Sequence, residues 1–104
     1  MNAGGVRSIL FVCMGNICRS PMAEVLFRHK ATLRGVEGEF FIDSAGTGGW
    51  HEGEKPDERM RRMAHRNGIE LDGSARQVHK DDFETFDMIV CMDDDNYRNL
   101  LAMG

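Results

Sequence analysis

Ser8-Ile9-Leu10-Phe11-Val12 is a short continuous apolar run, and Cys13-Met14-Gly15-Asn16-Ile17-Cys18-Arg19-Ser20-Pro21 follows it without a break. The apolar run is what a buried strand requires. Ser20 is a residue type suited to capping a helix, and Pro21 suits the first helical position. Met22, Val25, Leu26 and His29 then recur with helical spacing. A strand, a tight loop and a helix in that order aim free backbone N–H groups and the positive end of a helix dipole at one point. An oxyanion fits there.

Cys13 and Arg19 stand at the two ends of that loop. A thiol is a poor nucleophile until it ionises. Backbone donors, a guanidinium and a helix N-terminus all favour the thiolate. Arg19 supplies a planar fork able to hold two phosphoryl oxygens at once, which a lysine cannot do. Gly15 is expected to supply a positive φ for the sharp turn. Asn16 tolerates the left-handed region and can brace the loop from within. The Ser20 hydroxyl is placed to donate to the Cys13 sulfur. Met14, Gly15, Asn16, Ile17, Cys18, Arg19 and Ser20 thus form the expected phosphate cradle, with Cys13 and Arg19 as the catalytic pair. The chemistry is in-line attack of Cys13 on a phosphate monoester, giving a thiophosphate that water later cleaves.

The string resembles the signature of the low-molecular-weight protein tyrosine phosphatase family, Cys-x-Gly-Asn-x-Cys-Arg-Ser-Pro. Further similarity lies in Asp43-Ser44-Ala45-Gly46-Thr47, Ala75-Arg76-Gln77, the stretch from Asp82-Phe83 to Phe86-Asp87, and Ile89-Val90-Cys91-Met92-Asp93. The resemblance spans essentially the whole chain. It implies a doubly wound, flavodoxin-like α/β sandwich of three layers around a parallel sheet. It further implies a hydrolase acting on phosphotyrosine proteins and small aryl phosphates, inhibited by inorganic phosphate and related oxyanions, with no cofactor and no metal.

Composition agrees with one domain over residues 1–104, with a net charge of −4. The acids are concentrated after residue 80, where seven of them face one arginine, and a solvated acidic face is the simple reading. No arginine-rich run argues for nucleic acid, and no segment has the length and apolarity of a membrane span or signal peptide. The residues before Val6 read as a leader outside the fold. Three cysteines make neither a disulfide framework nor a four-ligand zinc site, so the cytoplasm is the expected location. Cys18 is either a small buried residue or a resolving thiol for oxidised Cys13, and the resemblance favours the second. Cys91 reads as core.

Further along, Leu33-Arg34-Gly35 closes the first helix, Gly38 marks a turn, and Phe40-Phe41-Ile42 is the second strand. Gly46, Gly48, Gly49 and Gly53 surround Trp50 and His51 in a loop. Trp50 is either a lone half-buried aromatic or a wall of the substrate slot, and the resemblance favours the slot. His51 receives no role, and His29, His65 and His79 read as surface or partly packed. A helix from Pro56 to Asn67 ends at Gly68, with Met60, Met63 and Ala64 as its apolar stripe. Lys80 to Phe86 is a short helix, Met88 to Met92 a third buried strand, and Asp93-Asp94-Asp95 opens a last helix. Strands alternating with helices imply a parallel sheet covered on both faces.

The sequence also departs from the family. The family's general acid lies in an Asp-Pro loop, whereas the prolines here, Pro21 and Pro56, follow Ser20 and Lys55. No general acid is therefore assigned, and Asp93 is not promoted to that role. Gly73 stands where some members carry a histidine that braces the phosphate loop through Asn16 and Ser20. The family's last strand and helix have no counterpart. The third strand is then expected to leave an open apolar edge through which the chain dimerises. Competing readings are a phosphate-binding but catalytically impaired fragment or regulatory module, a protein-arginine phosphatase, and a thioredoxin-coupled arsenate reductase. Relatives of the arginine type carry threonine where this chain has Ile17. The reductase needs a second cysteine near Cys91, and none is present.

Overall fold

The computed structural model describes residues 7–15, 19–49, 51–71 and 73–103. Along the chain follow β1 (Ser8–Cys13), α1 (Arg19–Leu33), a 3₁₀ turn (Glu37–Glu39) and β2 (Phe41–Gly46). After them come α2 (Glu58–Arg66), α3 (Asp82–Thr85), β3 (Met88–Cys91) and α4 (Asp94–Met103). The described strands form one parallel sheet in the order β2-β1-β3, the doubly wound, flavodoxin-like arrangement. Ser8 lies opposite Phe41 and Cys13 opposite Gly46, while Ile9 lies opposite Met88 and Val12 opposite Cys91.

The central strand explains its own sequence. Successive side chains of a strand point to opposite faces, and β1 is covered on both. Leu10 and Val12 pack with Ala45, Val78, Phe86 and Leu100, against which Met103 also rests. Ile9 and Phe11 pack with Ile42, Ala23 and Phe27 on the other face. Helix α4 therefore covers one face and α1 the other, giving three layers. Full burial of such a side chain is worth about 1.5–3 kcal/mol, so β1 is the anchor of the domain. Aromatic edges reinforce the α1 side: Phe27 meets Phe40 edge-on at 5.3 Å and Phe11 at 6.1 Å between ring centroids.

Polar links fix the strands end to end. The Asp87 carboxylate accepts from the Arg7 and Ser8 N–H groups at 2.8 and 3.1 Å, and the Ser8 hydroxyl accepts from the Asp87 N–H at 2.9 Å. The Arg7 bond, and then that of Ser8, holds this carboxyl below its usual range. Arg76 donates to Asp43 on β2 at 3.1 Å and forks onto both oxygens of Asp82 on α3 at 3.0 and 3.2 Å. Burial raises the Asp82 carboxyl, but the Arg76 bonds and the His79 N–H outweigh it and leave it lowered.

Several local expectations need correction. Helix α1 begins at Arg19, so Ser20 and Pro21 lie inside its first turn. Proline costs nothing there, because the first-turn N–H groups have no intrahelical partner. The α1 face turned to the sheet is that of Ala23, Phe27 and Ala31, while Leu26 and His29 are exposed. Too many α1 positions are apolar for spacing alone to choose the buried face. In α2, Ala64 is buried but Met63 is 55 % exposed. The second strand runs on to Gly46, and the short helix is confined to Asp82–Thr85. Among the described residues the third strand is only half-buried, with Ile89 and Cys91 against one side of the core and Val90 against the other. Among the described residues it pairs only with β1, and Met88 is 45 % exposed. Cys91 accordingly is half-buried: it packs against the Leu10 and Val12 side of the core and also lines an open apolar groove with Ile89, Tyr97 and Leu101.

The turns follow expectation more closely. Gly35 and Gly68, which close α1 and α2, have φ of +72° and +76°, a conformation that favours glycine. Asp57 caps α2 by accepting from the Met60 N–H at 3.3 Å.

Candidate active site

Cys13 ends β1 and Arg19 begins α1, so the loop between them lies at the carboxyl end of the central strand. Sheets of this order bind ligands there, between β1 and β3, where the direction of winding reverses. The Cys13 side of the site is dry: the residue is 4 % exposed. Its sulfur lies 3.0 Å from the Ser20 hydroxyl, and Ser20 is fully buried. The same hydroxyl lies 3.4 Å from the Ala45 carbonyl oxygen. One hydroxyl proton serves one acceptor at a time, and a thiolate is the stronger of these two acceptors. Ser20 is thus placed within hydrogen-bond distance of the sulfur, where its hydroxyl can donate to a thiolate. It gains that place because helix α1 starts one residue before it.

Arg19 occupies the open side of the site. Its guanidinium donates to Asp93 at 2.8 Å, with the two side chains 53 % and 40 % exposed. Asp93 follows β3 and also caps α4, accepting from the Asn96 N–H at 2.8 Å. The Asn96 bond, and then the Arg19 bond, hold the Asp93 carboxyl below its usual range. A carboxylate held this firmly as the anion is a poor proton donor near neutral pH. Asp93 is therefore a positioning residue for Arg19. Its sequence match to the family carried no role, and its contact with Arg19 exists only because β1 and β3 are neighbours.

The loop after β2 wraps the same end of the sheet. The Thr47 N–H donates to the Cys13 carbonyl and the Gly48 N–H to the Met14 carbonyl, both at 2.9 Å. His51 was assigned nothing from the sequence, yet its ring lies over Gly15. A Cβ built on Gly15 would stand 2.8 Å from His51 Cδ2, closer than packed atoms allow. Gly15 does not adopt a positive φ. Its lack of a side chain makes room for His51; it does not relieve a left-handed turn. Glu54 steadies the ring through Nδ1 at 3.1 Å. Gly73 does sit at a φ of +99°, so its backbone by itself favours glycine.

Met14 and Gly15 are in place at the start of the loop, and Met14 is exposed. Asn16, Ile17, Cys18 and Trp50, also expected at the site, lie outside the described residues. Among the described residues, no group of three or more His, Cys, Asp or Glu side chains is placed to hold a metal ion. None of the described helices is long and apolar enough to cross a membrane.

The low molecular weight phosphotyrosine protein phosphatase family matches residues 8–104. The chain belongs to this family. The Gallus gallus enzyme of that name is 52% identical over 100 residues, covering 96% of this chain and 63% of its own length. The low molecular weight protein-tyrosine-phosphatase YfkJ of Bacillus subtilis is 52% identical over 98 residues. The crystal structure of YfkJ superimposes with a TM-score of 0.92, covering 99% of this chain and 65% of that one. A protein tyrosine phosphatase from Entamoeba histolytica, crystallised with Hepes in its active site, gives a TM-score of 0.89 at 43% identity and covers 92% of this chain and 62% of that one. The chain thus spans less than two thirds of the length of these relatives.

Proposed function

We propose that this chain is a cysteine-dependent phosphatase for phosphotyrosine and small aryl phosphate monoesters. The observation that carries the reading is the buried Cys13 sulfur, 3.0 Å from the Ser20 hydroxyl and on the same loop as the Arg19 fork. The Cys13 thiolate attacks phosphorus in line. The sulfur–phosphorus bond forms as the bond to the aryl oxygen breaks, and the aryl oxide leaves with the bonding pair. Water then attacks the thiophosphate, releasing inorganic phosphate and restoring the thiolate. Arg19 holds two phosphoryl oxygens in both steps, and the N–H groups from Met14 to Arg19 take the rest of the charge. Trp50 forms the wall of the aryl slot. Cys18 is the resolving thiol: peroxide converts Cys13 to its sulfenic acid, and attack by the Cys18 thiol gives a disulfide and water.

Residues 1–104 contain no Asp-Pro pair and Asp93 is held as the anion, so these residues by themselves offer the leaving group no strong acid. General acid catalysis contributes roughly 10²–10⁴-fold, and most for poor leaving groups. The activated ester p-nitrophenyl phosphate should therefore be hydrolysed far better than a phosphotyrosine peptide, relative to a family member with the acid. Equal relative rates on both would mean that another group supplies the proton. No turnover of either, with phosphate still bound, would support the rival reading of a phosphate-binding module. One structural neighbour is described as a Drosophila arginine phosphatase, at 36% identity. Ile17 in place of threonine favours the aryl ester, and a phosphoarginine peptide is the control substrate. Among the described residues β3 pairs along one edge, and sedimentation of the 104-residue chain tests self-association along the other.

A further inference from the structure

We infer that the face of α2 next to the active-site loop is a docking cleft for an acidic segment of the phosphoprotein substrate. This deepens the phosphatase reading and rests on it. The chain as a whole is acidic, with a net charge of −4. Against that background, Lys55, Arg61, Arg62 and Arg66 line one open cleft of about 500 Å³, with Glu58 and Glu70 as its carboxylates among the described residues. Those two acids are already engaged. Glu58 pairs with Arg62 at 3.6 Å and Glu70 with His65 at 3.2 Å. Arg61 donates to the Pro56 carbonyl at 3.1 Å. Lys55 and Arg66 have no ion pair among the described residues, and both are exposed. They are the cations a partner can use.

The cleft is joined to the catalytic loop. Lys55 follows His51, whose ring rests on Gly15, by four residues. The chain between them is pinned to Ala75 by paired backbone bonds, Gly53 N–H to Ala75 O and Ala75 N–H to Glu54 O, both 2.7 Å. Lys55, four residues from the ring over Gly15, is thus within an extended chain's reach of residues flanking a phosphotyrosine at Cys13, and Arg66 would meet residues farther out. Discrete carboxylates of such a segment can meet Lys55 and Arg66 one at a time. A continuous phosphate backbone would have to run past Glu58 and Glu70 as well, so a protein segment fits better than nucleic acid.

The test compares three substrates: a phosphotyrosine peptide with Asp and Glu on both flanks, its Asn and Gln twin, and p-nitrophenyl phosphate. The wild-type chain should show the lower KM for the acidic peptide, and 0.5 M salt should remove the difference. In a Lys55→Gln/Arg66→Gln variant, KM for the acidic peptide should rise about 3- to 10-fold, the scale of two exposed charge contacts. The twin and the small ester should be unaffected. Lys55→Arg/Arg66→Lys should keep the preference. Equal KM for the two peptides in the wild type, or an undiminished preference in the double Gln variant, overturns the cleft. If no substrate turns over, the phosphatase reading fails, and anisotropy of the same labelled peptides still decides the cleft. Equal affinities, or stronger competition by duplex DNA or anionic vesicles than by the acidic peptide, count against it.

Discussion

Arg19 and Asp93 meet at 2.8 Å although they lie 74 residues apart in the chain. The first opens α1 after β1 and the second follows β3 and caps α4, so the contact bridges the ends of the two neighbouring strands. It steers a flexible cation toward the phosphate position while α4's first turn holds the carboxylate still.

Replacing Asp93 by Asn should therefore loosen the clamp without removing it. The pair is exposed and screened by solvent, so kcat/KM should fall only modestly, roughly 2- to 5-fold, and inhibition by inorganic phosphate should weaken in parallel. The pH sign follows from the lowered carboxyl. The contact is complete above the ordinary aspartate value, about 3.9, and is lost as pH falls through the depressed one. Asp93 should contribute no titration to the rate profile between pH 5 and 8. A basic limb that disappears in the Asn variant would make Asp93 a proton donor after all.

Alkylation should distinguish the cysteines. Burial, and then the charge of Asp93, push the Cys91 thiol up, which slows its reaction. Iodoacetate at neutral pH should modify Cys13 first, and phosphate, vanadate or arsenate should protect it. Ser20→Ala should slow that modification by removing the donor 3.0 Å from the sulfur. Peptide mass mapping reads both effects. Faster labelling of Cys91, indifferent to oxyanions, would move the nucleophile elsewhere.

Gly15 and His51 offer a paired test. Gly15→Ala drives a methyl to 2.8 Å from the His51 ring, so this half-exposed ring must swing aside and give up its contact with Glu54. Turnover of p-nitrophenyl phosphate should drop accordingly. His51→Ala in the same chain should restore most of it, because no positive φ stands in the way. Failure of the second change to rescue the first would mean that the loop backbone, not the imidazole, excludes the side chain.

Acid should unfold the domain in part through Asp82. Its carboxyl is lowered in the fold, so its contribution is present above the ordinary aspartate value and is lost as pH falls through the depressed one. Arg76→Met leaves Asp82 buried without its fork and should destabilise the domain by about 1–3 kcal/mol. Thermal melts at pH 7 and pH 3 check this. The loss should be large at pH 7 and shrink in acid at pH 3, because a carboxyl without its fork is protonated more readily than one held lowered by Arg76.

The sequence by itself determined the strand–loop–helix order around Cys13 and Arg19, the parallel α/β class and the helix ends at Gly35 and Gly68. Each rests on neighbours along the chain: an apolar run, a proline, a glycine with positive φ, a local spacing. The tertiary structure decided what local pattern cannot. It turned Ala23 and Phe27 inward in place of Leu26, because the sheet selects one face of a helix that is apolar on several. It left β3 half-buried, paired among the described residues with β1 alone, since burial of a strand depends on what lies beside it. It set His51 on Gly15 and Asp93 on Arg19, contacts between distant segments that only the order β2-β1-β3 and the loop after β2 bring within reach.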